Sequence, residues 1–225
     1  MNKFTKVAAS GLVVLGIALS MTTVSYAANN ANITQTISSG TLVTDIRDAS
    51  RVTIANPTFA MAGTTFSFNC QTTTGTIGSA SQRLYVDNPG AANAGYTLTL
   101  AATAGATGLW NNAGVTQSFD FNDPTTAGCI DGADADLKGG QLTVDPAAST
   151  LTADCASCTI TGITKGAPAA FSQAVTDSVT LLTAAAGSDD VGRWYLTGIG
   201  LSQSIPGEQP NDSYTINLTA TVTAS

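Results

Sequence analysis

The chain has 225 residues, with 15 acidic residues against 8 lysines and arginines, a net charge of −7 and no histidine. The acidic balance argues against nucleic-acid binding, which depends on cationic contacts to phosphate. The absence of histidine removes the usual proton carrier at neutral pH, and no nucleophile motif or phosphate loop is present, so we expect a protein that is not an enzyme.

The N-terminal residues 1–27 have the three regions of a signal peptide. Lys3 and Lys6 are the positive charges, residues 12–19 form an apolar run, and residues 25–27 place small side chains at the positions that a signal peptidase reads. The alternative is an uncleaved membrane anchor, but the apolar run is too short to cross about 30 Å of hydrocarbon. We expect cleavage after Ala27, a secreted product and no membrane span after cleavage.

Short runs of Thr, Val, Ile and Leu alternate with clusters of turn-forming residues from residue 32 to the end. This spacing predicts an all-β protein, an antiparallel β-sandwich of jelly-roll or Ig-like Greek-key type with long loops, forming a single domain over residues 28–225. The predicted strands are 41–46, 52–55, 65–70, 83–86, 95–101, 117–121, 141–144, 159–163, 178–182, 194–201 and 214–223.

Two of these segments alternate clearly between apolar and polar residues. Phe66 and Phe68 flank a serine, which predicts a strand with one buried apolar face. The last segment, residues 214–222, alternates over nine residues. We expect it to be a central strand, because a long flat strand at a sheet edge invites aggregation.

The four cysteines of an exported chain predict a disulfide framework, and four cysteines allow three pairings. We favour Cys70–Cys129 together with Cys155–Cys158. The second pair is a CxxC motif, for which a redox role and a zinc site are the alternatives. A redox motif needs a cationic neighbour where Asp154 stands, and a zinc site lacks histidine ligands.

Five carboxylates and one amide lie close together in residues 120–136. Calcium takes six to eight oxygen ligands from such side chains, so this loop is a candidate calcium site. The alternative is a solvated loop in which Asp and Asn cap turns, which the spacing alone slightly favours. Repulsion among five crowded carboxylates makes the two interpretations even. The candidate ligands are Asp120, Asn122, Asp123, Asp131, Asp134 and Asp136.

Two C-terminal segments carry a family resemblance. Trp194-Tyr195-Leu196 is a W-x-L motif, and residues 214–222 resemble the distal Y-x-x-x-L-T-W-x-L motif, with Ala220 in place of the tryptophan. Together, over residues 194–222, they resemble the WxL domain of bacterial surface proteins. The resemblance implies a β-rich module that binds cell-wall peptidoglycan non-covalently, and it makes Trp194, Leu196, Tyr214 and Leu218 the candidate binding residues.

A second resemblance concerns lineage. Residues 33–37, 120–124 and 140–145 are similar to uncharacterised secreted proteins of Patescibacteria type. This similarity implies no activity.

Three functions follow as expectations. The first is a cell-surface protein bound to peptidoglycan or another surface glycan, in which Trp194 and Leu196 also fit as core residues of a strand. The second is a filament or surface-layer subunit that partners with itself, donating residues 28–37 with Ile33 and Ile37 to a neighbour's sheet. The third is an adhesin or carbohydrate-binding module with Trp110 as the stacking platform.

Overall fold

The computed structural model describes residues 34–90, 94–132, 135–188 and 191–225. The predicted signal peptide lies outside these residues. The chain divides into two units, Met1–Ile37 and Ser38–Ser225. In the first unit only residues 34–37 are described, and they are exposed and belong to no strand.

The second unit is nearly all β, and its strands form four antiparallel sheets. The described strands are β1 Val43–Arg47, β2 Gln71–Ile77, β3 Arg83–Asn88, β4 Tyr96–Ala102, β5 Leu109–Asn112, β6 Ser118–Asp120, β7 Gln141–Asp145, β8 Thr150–Ala153, β9 Ile163–Lys165, β10 Ala169–Ala170, β11 Ser178–Ala184, β12 Gly192–Thr197, β13 Ile199–Ile205, β14 Tyr214–Thr215 and β15 Leu218–Ala224. Three short 3-10 turns occur at Gly105–Thr107, Thr125–Gly128 and Pro146–Ala148.

The strand orders are β1-β3-β12-β8 in the first sheet, β10-β7-β13-β2 in the second, β15-β4-β11-β9 in the third and β14-β5-β6 in the smallest. Residues 194–201, predicted as one strand, therefore belong to two strands in different sheets. The break falls at Gly198, whose φ of 71° lies in the left-handed region that glycine adopts without a steric cost.

The first three sheets share one hydrophobic core. Successive side chains of their strands point to opposite faces, so that one face packs inward and the other carries Thr and charged side chains. Burying each large apolar side chain contributes about 1.5–3 kcal/mol, which makes this core the main source of stability. The sandwich-like all-β fold confirms the predicted class. The largest fully buried side chains are Trp194, Tyr85, Tyr96, Phe121, Phe171, Leu84, Leu98, Leu142, Leu181, Leu182, Leu196 and Ile199.

The predicted strand over residues 65–70 is wrong. The strand begins only at Gln71, and Phe66 and Phe68 are 51% and 76% exposed. Their rings pack edge-to-face against each other, 5.2 Å apart, and not against the core. Alternation predicts a strand only where a partner strand is available. Here the backbone carbonyl of Ser67 instead accepts a hydrogen bond from the Glu208 amide, which belongs to a loop.

Two other predicted strands are wrong. Residues 52–55 form no strand; they return against β1 in a tight turn with a single bridge, Arg47 to Thr53. Segment 159–163 is a loop that leads into β9, and its Thr159 carbonyl accepts a hydrogen bond from the Trp194 indole.

The last strand occupies an edge of its sheet, which contradicts the predicted central position. β15 pairs with β4 alone, in register from Leu218 opposite Ala102 to Ala224 opposite Tyr96. Tyr214 belongs instead to the separate strand β14, which pairs with β5. Alternation along a strand reflects the burial of its two faces and carries no information about which strand neighbours β15.

The disulfides are Cys70–Cys129 and Cys155–Cys158, as predicted. The first joins the residue before β2 to the acidic loop after β6, across 59 positions of sequence. Disulfides are typical of proteins in an oxidising or extracellular environment.

Candidate functional site

A groove of about 760 Å³ opens beside the edge strand β15. Its apolar floor includes Leu84, Leu100 and Leu201, which come from the first three sheets. The segment 57–67 forms one rim, and residues 209–218 form the other. The groove therefore gives access to the interior of the sandwich along one side.

The groove is open because the third sheet ends at β15. On β4 the inward side chains are all buried, whereas the inward side chains of β15, Leu218, Ala220 and Val222, are only half-buried against the same core. One more strand beyond β15 would cover these three side chains.

The outer edge of β15 has no strand partner among the described residues, although β1 of the first sheet packs close to β15. Its sequence, LTATVTA, has no charge and no proline, and within the described ranges no strand pairs with that edge. Natural proteins usually protect such edges with charges, prolines or bulges. Two other edges are covered: Ile54 donates to Ile46 beside β1, and Ala62 donates to Thr74 beside β2.

Three aromatic side chains line one part of the groove, where the indole and the phenol hydroxyl make hydrogen bonds. The Trp110 indole donates to Gln203 Oε1 at 2.9 Å and stacks on Phe119, with ring centroids 5.7 Å apart. Tyr214 packs edge-to-face on Phe119, and its hydroxyl donates to the Pro210 carbonyl at 2.7 Å. Trp110, Tyr214 and Leu218, three of the predicted binding residues, thus line one groove.

The other two predicted binding residues lie in the core. Trp194 and Leu196 are 0% exposed, and the Trp194 indole donates to the Thr159 carbonyl at 2.7 Å. Neither side chain can contact a wall polymer in this conformation. Their assignment as binding residues is therefore corrected: the W-x-L spacing here is the alternation of a buried strand, β12.

The acidic loop uses its carboxylates for turns. Asp120 Oδ1 accepts from the Phe121 amide at 2.6 Å, and Asp123 accepts from the amides of Thr125 and Gly132 at 2.7 and 2.8 Å. These are contacts of turn-capping residues.

Other candidate ligands of the loop make separate hydrogen bonds. Asn122 donates to the Ala106 carbonyl and to Gln173, while Asp136 accepts from the Lys138 amide. Asp134 lies outside the described residues. In the part of the chain that is described, no three Asp, Glu, Cys or His side chains, Asp131 included, are grouped to hold a metal ion.

The outer face of the first sheet carries a network of arginines. Arg47 and Arg193 both donate to Asp87, at 2.7 and 2.8 Å, and Arg51 donates to both carboxylate oxygens of Asp154 at 2.7 and 2.9 Å. The hydrogen bonds from Arg51 lower the pKa of Asp154 below its usual value. Because each of these three arginines has an aspartate partner that neutralises its charge, we interpret this face as structural.

Sequence reasoning missed the groove and the arginine network. The alternation Arg83-Leu-Tyr-Val-Asp87 is a signal for the network, since it places charges and a tyrosine on one face of β3. No signal of this kind marks the groove, because it depends on which strand ends the third sheet.

No helix among the described residues is long and apolar enough to cross a membrane. The chain matches no family model, no curated protein and no solved structure.

Proposed function

We propose that this is a secreted, non-enzymatic structural subunit of a cell-surface assembly, which associates with copies of itself by strand addition. The observation that carries this proposal is the unpaired edge of β15 beside a groove that exposes the sandwich interior. It develops the filament or surface-layer alternative of the sequence.

Strand addition fits both parts of the site. Free amides and carbonyls of an edge strand pair with an extended segment, and pockets beside the edge take alternate side chains of that segment. The β15 edge supplies the backbone groups, and the groove beside Leu218 and Ala220 supplies the pockets. A chain that exposed this edge permanently would aggregate, so a specific occupant is the favoured explanation.

Binding of peptidoglycan or another glycan is the second proposal, and Trp110 supports it. An indole beside polar side chains is a suitable surface for a sugar ring. However, Phe119 already covers one face of this indole. Only the other face remains for a ligand, within the groove that strand addition would fill. Calcium, if it participates, would act through the acidic loop.

The test uses the whole chain, exported through its own N-terminal segment, with the new N-terminus read by intact mass. Sedimentation velocity and negative-stain electron microscopy then follow assembly as the protein concentration rises. Parallel samples are pelleted with peptidoglycan sacculi, with calcium or with chelator. Assembly without sacculi supports the structural subunit; a monomer that pellets only with sacculi contradicts it and supports wall binding.

A further inference from the structure

Resting on this proposed function, we infer that the occupant of the groove is the segment 33–37 of a second copy, and that the assembly is a head-to-tail filament. Each copy would donate its N-terminal segment and accept that of its neighbour along β15.

The segment has the alternating composition of a β-strand, and its described residues, 34–37, belong to no strand. Its sequence is Ile-Thr-Gln-Thr-Ile, so Ile33, Gln35 and Ile37 share one face and the two threonines share the other. Ile37 is 88% exposed, and residues 34–41 are exposed throughout. A large apolar side chain left this exposed in an alternating segment indicates a partner surface.

The size of the segment matches the site. Five extended residues span about 17 Å, and the seven residues of β15 offer about 23 Å of edge. Ile33 and Ile37 would lie about 13 Å apart over the apolar floor. Gln35, between them, would meet polar side chains of the groove such as Gln71 and Gln209.

Charge also favours this occupant. Residues 28–37 carry no charged side chain, whereas the whole chain has a net charge of −7. An uncharged segment approaches an acidic body without the repulsion that any acidic segment would meet.

The polarity follows from where the chain enters the sandwich. The Gly40 amide donates to the Pro89 carbonyl, next to the end of β3. The C-terminal end of β15 lies at this same end of the sandwich, since Ala224 pairs with Tyr96 and the Ser225 amide donates to the Gly95 carbonyl. The chain therefore enters where β15 finishes.

The groove lies toward the opposite end of β15, where Leu218 and Ala220 line it. Donor and acceptor are then different surfaces of the chain. Contacts between unlike surfaces repeat from copy to copy, and they give an open filament unless the rotation happens to close a ring.

The first experiment compares two double variants of the exported chain. Ile33→Asp with Ile37→Asp places charges on the face that enters the groove, and Thr34→Asp with Thr36→Asp places the same charges on the other face. We expect the isoleucine variant to stay monomeric in sedimentation velocity, while the threonine variant forms filaments. The substituted residues precede the sandwich, so circular dichroism should show the same fold in all samples.

Equal assembly of the isoleucine variant and the unaltered chain would overturn the inference while leaving the proposed function in place. Failure of the unaltered chain to assemble would overturn both. The two failures are therefore distinguishable.

A second experiment identifies the pairing directly. Chains carrying Ile37→Cys are mixed with chains carrying Ala220→Cys, and the control replaces the latter with Thr180→Cys on the exposed face of β11. We expect an intermolecular disulfide only in the first mixture. A single chain with both substitutions that cross-links within a monomer, or closed dimers in electron microscopy, would contradict the head-to-tail filament.

Discussion

The five side chains predicted to bind a partner differ in their burial. Trp194 and Leu196 form the motif that resembles a wall-binding domain, yet both are fully buried. Tyr214, Leu218 and Trp110 lie at a groove and remain available to a partner. A short motif could be recognised in the sequence, but burial depends on the neighbouring strands, and the sequence alone does not give these.

The burial of Trp194 gives a stability prediction. Trp194→Ala removes an indole that packs on Tyr96 and donates to Thr159, so the free energy of unfolding should fall by about 3–5 kcal/mol. Urea denaturation followed by circular dichroism measures the change. Trp110→Ala, at the half-buried groove wall, is the matched control and should cost less. A Trp194→Ala variant of unaltered stability that no longer pelleted with sacculi would restore the binding role.

The Arg51–Asp154 pair gives a prediction about pH. The hydrogen bonds and charge of Arg51 lower the pKa of Asp154 in the folded protein from its ordinary 3.8. A lowered folded pKa contributes stability that is present above the unfolded pKa and is lost as pH falls through the folded value. Asp154→Asn should therefore destabilise the protein at pH 7, and its difference from the unaltered chain should shrink as the pH falls below about 3.8.

Urea midpoints measured between pH 7 and pH 2 test this dependence. The effect should be small, because exposed ion pairs contribute little. Asp177→Asn, at an exposed aspartate just before β11, is the matched control. A difference between Asp154→Asn and the unaltered chain that stayed constant over this range would contradict the assignment.

At the scale of elements, the proposed assembly depends on β15. Ala220→Lys places a charge on its inward face, in the groove, where the long side chain can still reach water. Thr221→Lys places the same charge on the outward face of the same strand. An inward charge is one way in which natural proteins block an edge. We expect Ala220→Lys to abolish assembly in sedimentation velocity and Thr221→Lys to preserve it.

Both variants should retain the circular dichroism spectrum of the unaltered chain. Identical assembly of the two variants would show that this edge is not the contact surface.

The two disulfides should differ in their contribution to stability. Cys70–Cys129 closes a separation of 59 residues, and the loss of denatured-state entropy predicts a contribution of about 4 kcal/mol. Cys155–Cys158 closes a separation of 3, for which the same argument predicts less than about 2 kcal/mol. Paired Cys→Ser variants, compared by urea denaturation, measure both. A larger loss from the 155–158 pair would contradict the loop-entropy explanation.

The sequence predicted the elements unevenly, for physical reasons. Strands whose apolar face meets the core, such as β4 and β11, were found because alternation reflects burial. The strand over residues 65–70 was a false prediction, because two phenylalanines pack on each other outside the core. The Gln-Thr-Thr-Thr-Gly-Thr-Ile sequence of β2 was missed, because four polar threonines conceal a strand that pairs along its whole length with β13.

At the scale of the whole molecule, the fold class and both disulfides could be predicted, but the candidate site could not. Composition and spacing reflect properties of each strand, whereas the groove depends on the order in which distant strands pair. β15 follows β14 in the chain but pairs with β4, more than a hundred residues earlier. The role of residues 28–37 as a donor, expected from Ile33 and Ile37, stays a prediction.

The molecule is also asymmetric in charge. All four arginines of the chain lie on or beside the outer face of the first sheet, where Asp45, Asp87 and Asp154 pair with three of them. Arg83 lies over the Tyr195 ring instead, 4.6 Å from its centroid. The groove side carries no such network among the described ion pairs. Because strand addition depends on backbone hydrogen bonds and apolar burial, we expect assembly to persist at high salt, where a contact made by exposed ion pairs would weaken.

Sedimentation velocity of the exported chain, without sacculi and over rising concentration, tests the central claim most directly. If β15 and its groove accept a strand from a second copy, the protein will form species larger than a monomer, and electron microscopy will show filaments of repeating subunits. A chain that stays monomeric at every concentration, with its N-terminus at Ala28 and its fold intact, would contradict the account.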